Sequence, residues 1–418
     1  MEEKLSEAKK LLTEYGQEHV LNFYEELSEE EKNQLLDEIL SLDFKQLQKL
    51  YESTKTKPSF ENSKIEPIPY ITKANLSKEE LEEYQKIGDE IIEKGQLAVV
   101  TMAGGQGTRL GHNGPKGTFD IGLKSHKPIF EILCDTLKQA RDRYHVDIPW
   151  YLMTSDENHQ DTVDFFEKHH YFDYPKEAVQ FFRQGKLPML DPQGKILLDE
   201  KGMMKQAADG HGGIFEAMRK NGVIEDLKEK GIKWIFIGGI DNILAKMVDP
   251  VLTGIATKKH TLAAGKSVVK ANPLEKVGVF CKRDGKPSVI EYTEISEQMA
   301  HATDANGELL YGESHILCNQ FHIDILEKLA KNKLPYHVAF KKASYRALNG
   351  EMVVPEAPNA YKFEAFLFDA FSLIDEMTIM RVKREEEFAP VKNKEGVDSP
   401  QTAKALYEAF HHLKEENE

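Results

Sequence analysis

Short apolar segments alternate with stretches of helical periodicity through the middle of the chain, and this alternation constrains the fold more than any other feature. The apolar segments are 97–102, 150–155, 179–182 and 233–240. They are mostly apolar without regular polar alternation, which is typical of strands buried on both faces of a parallel sheet. Strands separated by helices form such sheets, with helices covering both faces. We therefore predict an α/β fold with a mixed, mostly parallel sheet and helices after the segments 97–102, 150–155 and 233–240.

The later part of the chain is predicted to add antiparallel and helical pieces. The runs VGVFCKR and PSVIEYTEI flank Asp284-Gly285, a pair typical of a two-residue primed turn, so they indicate a β-hairpin. Residues 362–371 are predicted to be a helix and residues 377–384 a strand. Helical spacing of apolar residues recurs from Ser399 and predicts a short C-terminal helical tail.

The first residues of the chain have a different pattern. Apolar residues within 1–53 recur at helical spacing only. Capping-box sequences beginning at Ser28 and Ser77 mark two helix starts, because each serine precedes a glutamate by three positions. Prolines within 55–70 predict a linker. The predicted division is 1–65 as N-terminal helical segment and linker, 66–385 as the α/β domain, and 386–418 as a loop and C-terminal helix.

Charge and cysteine usage exclude several classes of function. The 418 residues carry a formal net charge of −15, whereas nucleic-acid binding requires a positive surface, so no nucleic-acid partner is expected. The three cysteines form no C-x-x-C pair and lie in apolar runs, which predicts buried free thiols in a reducing compartment. The charged N-terminus is no secretory signal, and no run approaches the ~20 apolar residues of a membrane span. We expect a soluble, cytoplasmic protein without a membrane partner.

A glycine-rich loop follows the first of the buried strands. It contains AGGQGTRLG, which starts at Ala103, and PKG around Lys116. Ligands bind at the carboxyl ends of strands in open α/β sheets, and glycines let backbone N–H groups approach a polyanion closely. Arg109 and Lys116 supply cations for phosphate oxygens. The alternative is a tight turn without a ligand, but the two cations and the preceding strand favour a phosphate site.

This loop matches neither of the two commonest phosphate-binding motifs. G-x-x-x-x-G-K-[ST] occurs nowhere, and the glycine spacing differs from G-x-G-x-x-G. The sequence LAVVTMAGGQGTRLGHNGPKG instead resembles the signature of the UDP-sugar pyrophosphorylases, most closely that of the UDP-N-acetylhexosamine pyrophosphorylase branch. Further blocks resembling this family follow in the family's order: FRQGKLP from Phe182, DGHGG from Asp209, GIDN from Gly239, NPLEKVG from Asn272, Glu291-Tyr292, Asn319 and FAPVKN from Phe388.

The resemblance implies a Rossmann-like nucleotidyltransferase domain over 66–385. This domain would join UTP to a sugar 1-phosphate, with Mg²⁺ as cofactor, and release pyrophosphate. The resemblance also implies roles for individual residues. Ala103, Gly104 and Gly105 would hold the UTP phosphates, which Arg109 and Lys116 would neutralise, while Gln184 and Gly210 would contact uracil and ribose. Asp241 would face Mg²⁺, and Lys392 would reach the phosphate of the sugar 1-phosphate. The sugar would be surrounded by Gly278, Glu291 and Asn319, with His211 nearby.

Ordinary structural roles stay open for several of these residues when each is considered alone. A carboxylate at a strand end, such as Asp241, is a poor phosphate ligand unless a hard cation such as Mg²⁺ lies between them. Asp is also a favoured N-cap, so Asp241 is alternatively the cap of the following helix. Glu291 is alternatively an exposed hairpin residue, and Lys392 an ordinary surface lysine. The run 385–387 is interpreted as a solvated charge cluster.

Two departures from the family pattern leave the sugar and the assembly open. The N-acetylhexosamine enzymes usually carry Asn where this chain has His211, and glucose-handling relatives carry a histidine in the comparable motif. Beyond Lys392 only about one helix remains of the larger relatives' C-terminal domain, so a monomer or weak homo-oligomer is expected. Glucose 1-phosphate is therefore the alternative substrate, and a non-catalytic nucleotide-sugar-binding protein is the alternative class. The retained cations and Asp241 favour an enzyme, and most blocks favour an N-acetylhexosamine.

Overall fold

The structure is a computed structural model that describes residues 1–56 and 63–415. The chain forms two compact units, each assembled from separate stretches of sequence. Unit 1 comprises Met1–Asn62, Gly185–Gly212 and Leu334–Phe366, and unit 2 comprises Ser63–Gln184, Gly213–Lys333 and Leu367–Glu418. The domain boundaries expected from the sequence after residues 65 and 385 are not tested by this grouping and stay predictions.

The bounds of the regular elements follow the chain. The α-helices are α1 Glu2–Glu14, α2 Glu29–Ser41, α3 Phe44–Ser53, α4 Lys78–Glu93, α5 Ile129–Tyr144, α6 His159–Lys168, α7 Ile214–Lys220, α8 Val223–Glu229, α9 Pro250–Lys258, α10 Glu297–His301, α11 Ile323–Lys331, α12 Arg384–Glu387 and α13 Pro400–Glu415. The strands are β1 Ile65–Glu66, β2 Ile71–Thr72, β3 Leu97–Met102, β4 Trp150–Thr154, β5 Val179–Arg183, β6 Lys186–Pro188, β7 Gln206–Ala208, β8 Trp234–Gly239, β9 Ala263–Val269, β10 Val279–Arg283, β11 Lys286–Ile290, β12 Glu313–His322, β13 His337–Lys341, β14 Tyr345–Arg346, β15 Met352–Val353, β16 Ala360–Glu364 and β17 Thr378–Arg381.

Unit 2 is built on a large mixed sheet. Its strand order is β2-β17-β9-β12-β8-β3-β4-β5, and β10, which pairs with β12, also pairs with β1 and β11. Neighbours along this order are parallel except at β12, which runs antiparallel to β8 and β9. The four apolar segments are confirmed as β3, β4, β5 and β8, and β3 and β4 are buried along their whole length. The prediction of an α/β fold with a mostly parallel sheet is therefore confirmed.

Two helices of unit 2 approach each other closely because both carry glycine at their contact. A Cβ atom at Gly88 of α4 would lie 1.9 Å from the carbonyl oxygen of Pro250, and one at Gly254 of α9 would lie 1.8 Å from the carbonyl oxygen of Tyr84. A larger residue at either position would force the backbones apart. α9 is thereby held against α4, and this contact fixes the connection that leads from β8 to β9.

The cysteines behave as their apolar surroundings predict. Cys134, Cys281 and Cys318 are buried free thiols. Burial raises the pKa of the Cys134 and Cys318 thiols to about 12 and that of Cys281 to about 11, so the reactive thiolate is disfavoured at neutral pH.

Unit 1 contains the N-terminal helices and the strands β6, β7 and β13–β16. The helices bury one apolar stripe each, and their core includes Leu12, Leu35, Leu47 and Phe363. The predicted capping box at Ser28 is confirmed, as is the one at Ser77 in unit 2, because each serine hydroxyl accepts from the backbone N–H three residues on. No helix in the described ranges is long and apolar enough to cross a membrane.

The structure confirms the β-hairpin and corrects two helix predictions. β10 and β11 are joined by Asp284 (φ 50°) and Gly285 (φ 81°), both left-handed as a primed turn requires. The helix expected over 362–371 is wrong: the chain there completes β16, which pairs with β13, and then forms a 3₁₀ turn over Leu367–Leu373. The helix expected directly after 233–240 begins only at Pro250, because an irregular connection intervenes.

Candidate active site

The glycine-rich loop is held in place by the strand and helix that follow it in the chain. The Ala103 N–H donates to the Met153 carbonyl (2.7 Å), which extends the pairing of β3 with β4. The buried Asn158 side chain donates through Nδ2 to the carbonyl oxygens of Ala103 (2.9 Å) and Gly105 (3.3 Å). Both backbone polar groups of Ala103 are therefore engaged within the protein, and its predicted contact with substrate stays a prediction.

The amides at the start of the loop are differently placed. Within the part of the chain that the structure describes, the backbone N–H groups of Gly104, Gly105 and Gln106 donate no hydrogen bond. Gly105 is exposed, and its carbonyl oxygen is occupied by the Lys116 N–H (3.1 Å) as well as by Asn158. Successive free amides at the carboxyl end of a parallel strand form an anion-binding site. We call these three N–H groups the amide row.

Glycine brings two predicted ligand-binding residues to the borders of the amide row. A Cβ atom at Gly104 would lie 2.5 Å from Oε1 of Gln184, so the Gln184 carboxamide approaches the loop only because residue 104 is glycine. A Cβ atom at Gly117 would lie 2.3 Å from the Phe130 ring, so the backbone after Lys116 lies directly on the first turn of α5. Gln184 and Lys116 are therefore both held beside the loop.

An ion pair joins the loop to the end of the neighbouring strand β8. The Lys116 ammonium contacts Oδ1 of Asp241, which follows β8 by two residues. The Lys116 side chain is 12% exposed and that of Asp241 is 39% exposed, so the carboxylate stays accessible from solvent. β3 and β8 are parallel neighbours, and their carboxyl ends lie at one edge of the sheet. The sequence prediction placed both residues at strand ends, and the structure brings them into contact.

The alternative role of Asp241 as a helix N-cap is wrong. The next helix of the chain is α9, and its N-cap is Asp249, whose carboxylate accepts from the backbone N–H groups of Val251 (3.0 Å) and Leu252 (3.4 Å). Asp241 lies in the irregular connection before this cap, and its carboxylate is engaged by Lys116 instead.

The two remaining predicted cations are exposed side chains. The Val391 N–H donates to the Asp241 carbonyl oxygen (2.8 Å), so the next residue, Lys392, lies beside the Asp241 turn. The Lys392 ammonium is 3.9 Å from Oδ2 of Asp398, and its side chain is 45% exposed. Arg109 is exposed and forms no ion pair with any described residue. Both side chains are thus available to an anionic ligand.

The predicted sugar-binding residues of unit 2 are gathered around His315. A Cβ atom at Gly278 would lie 3.0 Å from Oε1 of Glu291, and the Gly278 carbonyl oxygen accepts from the His315 N–H (2.9 Å). The His315 ring nitrogen Nε2 is 3.2 Å from Oδ1 of Asn319. Glu291 lies just beyond β11 and is half-buried, so it is not the exposed hairpin residue of the alternative interpretation. The buried Nδ2 of Asn319 has no hydrogen-bond partner among the described residues.

A β-bulge separates His315 from Asn319. The register of β12 against β9 shifts between these residues, and Leu317 within the bulge has φ 54°. A Cβ atom at Gly239 would lie 3.0 Å from Cδ2 of Leu317, so the bulge rests on the end of β8 just before Asp241. Left-handed backbone in a branched residue is strained, and such strain clusters at functional sites. The bulge therefore links the strand that carries Asn319, a predicted sugar-binding residue, to the strand that leads to Asp241.

Gly210 and His211 lie in unit 1. Gly210 has φ 86°, and a Cβ atom there would lie 2.3 Å from the carbonyl oxygen of Ala365, so only glycine fits. The His211 ring centroid is 5.4 Å from that of Phe366, and the Phe366 ring is 4.4 Å from the His337 ring. The segment that was predicted to be helical thus supplies the backbone against which the DGHGG block packs.

Sequence reasoning missed three polar residues that organise the site: Asn158, Asn242 and His315. Asn158 and Asn242 each follow a strand end of the sheet, and this position is the signal that could have identified them. His315 had no such signal, because its role depends on the bulge in β12.

The interpretation of 385–387 as a solvated charge run is wrong for Glu387. This residue is 4% exposed, and its carboxylate pairs with the buried ammonium of Lys266. Lys266 also pairs with Oδ2 of Asp249 (2.7 Å), and all three side chains lie in the interior of unit 2. We call Asp249, Lys266 and Glu387 the buried charge cluster.

The fold and this loop define an α/β nucleotidyltransferase. The chain belongs to the family described as UTP–glucose-1-phosphate uridylyltransferase, whose model matches residues 42–407. It is 37% identical over 427 residues to the UDP-N-acetylglucosamine pyrophosphorylase of Saccharomyces cerevisiae, covering 96% of this chain and 89% of the yeast protein. It is also 37% identical to UDP-N-acetylglucosamine diphosphorylase 2 of Arabidopsis thaliana, covering 96% and 82% of the two chains.

A solved structure supports the same assignment. The uridine diphosphate N-acetylglucosamine pyrophosphorylase from Trypanosoma brucei, crystallised with an inhibitor, superposes with a TM-score of 0.80 at 31% identity. The match covers 96% of this chain and 84% of the T. brucei chain. The resemblance stated from the sequence blocks is therefore confirmed, and the chain is an enzyme of the uridylyltransferase class.

Proposed function

We propose that this enzyme transfers the uridylyl group of UTP to an N-acetylhexosamine 1-phosphate and releases pyrophosphate. The observation that carries the proposal is the amide row beside the Lys116–Asp241 pair, because it provides neutral donors, a cation and an accessible carboxylate at one sheet edge. The names of the yeast, A. thaliana and T. brucei relatives support N-acetylglucosamine 1-phosphate as the acceptor. The buried free thiols support a reducing compartment, and we place the enzyme in the cytoplasm.

Nucleotide binding is assigned to the loop and its borders. The N–H groups of Gly104 and Gly105 would donate to the phosphate oxygens of UTP, and Arg109 and Lys116 would neutralise their charge. The Gln184 carboxamide, which lies against Gly104, has a donor and an acceptor suited to the edge of uracil.

The acceptor is assigned to the residues around His315 and to Lys392. Glu291 and Asn319 offer a carboxylate and an unpartnered amide donor for sugar hydroxyl and N-acetyl groups. Leaving the buried Asn319 donor unpaired costs about 1–3 kcal/mol, which a sugar oxygen would recover on binding. Lys392 would hold the phosphate of the sugar 1-phosphate, since its side chain extends from the segment bonded to the Asp241 turn.

The residues at the sheet edge fit a magnesium ion. Mg²⁺ is bound in such enzymes through one or two carboxylates, with phosphates and water completing its octahedron, and Asp241 offers one accessible carboxylate. No group of three His, Cys, Asp or Glu side chains able to hold a metal occurs in the described ranges, so the substrate would supply most of the ligands. When bound, the ion would supply positive charge at the reacting phosphate.

The chemistry requires no side-chain nucleophile. A phosphate oxygen of the sugar 1-phosphate attacks the α-phosphorus of UTP in line, and the bond from this phosphorus to the bridging oxygen of pyrophosphate breaks. The amide row, Arg109 and Lys116 stabilise the charge that develops on the leaving pyrophosphate, while Lys392 aligns the attacking phosphate. Because loop and strand end are already bonded to each other, these donors are positioned before the substrates arrive.

Turnover with a panel of acceptors tests this function. We expect UTP and Mg²⁺ to give pyrophosphate and a UDP-sugar with N-acetylglucosamine 1-phosphate, and kcat/KM to be at least about tenfold lower with glucose 1-phosphate. Isothermal titration with UTP, run beside pyrophosphate release, separates binding from catalysis. UTP binding without product from any acceptor would make the chain a nucleotide-sugar-binding protein. A preference for glucose 1-phosphate would instead assign the enzyme to the glucose-handling branch, which His211 favours.

His211→Asn is expected to raise the preference for N-acetylglucosamine 1-phosphate over glucose 1-phosphate by about tenfold. The smaller carboxamide leaves room for the N-acetyl group and supplies both a donor and an acceptor for its amide. Competition between the two sugar 1-phosphates measures the ratio directly. The control is His145→Asn, an exposed residue with φ 55° at the end of α5, where asparagine is tolerated. An unchanged ratio in His211→Asn would place sugar discrimination at Glu291 and Asn319.

A further inference from the structure

The residues proposed to face the two substrates lie on segments that are far apart in the sequence. Asp241 is in the irregular connection after β8, and Lys392 follows α12. Neither residue belongs to a helix or strand, so no regular element fixes the distance between them. Their relative position depends on the bonds between the two segments.

The Asn242 side chain provides two of the hydrogen bonds between these segments. Its Nδ2 donates to the Glu387 carbonyl oxygen (2.7 Å), and its Oδ1 accepts from the Ala389 N–H (2.9 Å) and from the Leu244 N–H of its own segment (3.2 Å). The residue is 5% exposed, so water does not replace these partners readily. A primary carboxamide is suited to this task, because it combines donor and acceptor in one planar group, whereas a carboxylate only accepts.

Backbone bonds continue the same contact toward Lys392. The Ile243 N–H donates to the Ala389 carbonyl oxygen (3.2 Å), and the Val391 N–H donates to the Asp241 carbonyl oxygen (2.8 Å). The two segments therefore pair as a short ladder between these two backbone bonds. The Asn242 side chain extends the ladder at the end that is nearer to Glu387.

The buried charge cluster anchors the same end to the sheet. Glu387 pairs with Lys266, which projects from β9 and also pairs with Asp249. Burial alone would lower the pKa of the Lys266 ammonium, but Asp249 and Glu387 outweigh burial and hold this pKa above its usual value. The Lys266 ammonium thus stays charged at neutral pH, and its contact with the Glu387 carboxylate holds this residue where Asn242 bonds to its carbonyl oxygen.

We propose that Asn242 is a positioning residue, which fixes the segment bearing Lys392 to the turn bearing Asp241 and so sets the distance between the acceptor phosphate and the nucleotide. The inference rests on the proposed roles of Lys392 and Asp241. Asn242 itself is buried, so we assign it no contact with substrate.

Kinetics of Asn242→Ala test the inference. We expect kcat to fall by at least about tenfold and KM for the sugar 1-phosphate to rise, with KM for UTP within about twofold of wild type, because the displaced lysine serves the acceptor alone. Asn242→Asp keeps the size and the acceptor but loses the donor, and we expect an intermediate loss. It also provides a second variant if the alanine form folds poorly. Wild-type kcat in both folded variants would overturn the inference.

A matched control separates positioning from general destabilisation. Tyr174→Phe removes a buried hydroxyl group of unit 2 that lies outside the site. This hydroxyl group is hydrogen-bonded to both backbone polar groups of Ile148 (2.8 Å each). We expect it to lower the melting temperature while leaving both KM values and kcat unchanged. A kcat loss in this control equal to that of Asn242→Ala would show that the effect is ordinary loss of stability.

A double variant and an exchange measurement complete the test. In a Lys392→Ala background, Asn242→Ala should lower kcat by no more than about twofold, because both changes remove the same interaction. If the double variant instead shows the product of the two single losses in kcat, the inference is overturned. Hydrogen exchange without substrate should show the Ala389 and Val391 amides deprotected in Asn242→Ala but not in Tyr174→Phe; unchanged protection would also overturn it. Failure of the wild type to form any UDP-sugar would overturn the proposed function alone, since exchange needs no turnover.

Discussion

Lys116→Ala is expected to fold normally and to lose about a hundredfold in kcat, because one preorganised charge that stabilises the transferring phosphate is removed. The ammonium group contacts Asp241 and lies beside the amide row, and no core side chain depends on it. Loss of a partly exposed ion pair should change the free energy of unfolding by no more than about 1 kcal/mol. The measurement is the rate of pyrophosphate release at saturating UTP and sugar 1-phosphate, together with a thermal melt.

Lys230→Ala is the matched control for this variant. The Lys230 ammonium pairs with Oδ2 of Asp226 at 2.6 Å in the same unit, and both side chains are partly exposed. We expect wild-type turnover from it, since this pair lies away from the loop. If folded Lys116→Ala also turned over at the wild-type rate with saturating UTP, Lys116 would have to be removed from the catalytic residues.

Asp241→Asn is expected to raise the Mg²⁺ concentration needed for half-maximal activity and to lower kcat by about a hundredfold at saturating Mg²⁺. The neutral amide has nearly the same size as the carboxylate but is a weaker ligand for a hard cation. The side chain caps no helix, so the substitution leaves the secondary structure unchanged. Initial rates across a Mg²⁺ titration of both proteins measure the effect.

Asp226→Asn is the corresponding control, because it neutralises a carboxylate that also pairs with a lysine but lies outside the site. Its titration should coincide with that of the wild type. If the Mg²⁺ titration of Asp241→Asn coincided with that of the wild type, Asp241 would have a structural role only. It would then not be a ligand of Mg²⁺.

The parts of the site that were predictable from the sequence are those that depend on local pattern. The apolar run of β3 indicated a buried strand, and its carboxyl end placed Gly104 and Gly105 where ligands bind. The same reasoning placed Asp241 at the end of β8. The pairing of β3 with β8, which brings the loop bearing Lys116 to the sheet edge of Asp241, was not predicted and is supplied by the structure.

The parts that were not predictable depend on partners far away in the sequence. Glu387 is in a run of three acidic residues, and only its contact with Lys266, within a buried strand, distinguishes it from its exposed neighbour Glu385. The segment 362–371 has apolar residues compatible with a helix, but pairing of β16 with β13 determined its backbone. His315 acquired its place from a bulge of two extra residues in β12, which no spacing rule predicts.

The ladder between the Asp241 turn and Val391 has a consequence for biosynthesis. A ribosome makes the chain from the N-terminus, and domains fold as their residues emerge. β3, β4 and β8 are synthesised long before residues 387–391. The Asp241 turn therefore lacks its hydrogen bonds to this segment until the segment has been made. Contacts of such high sequence separation form slowly. We therefore expect nascent chains to gain activity only after residues 387–391 have joined the Asp241 turn, so that activity would mark completed folding.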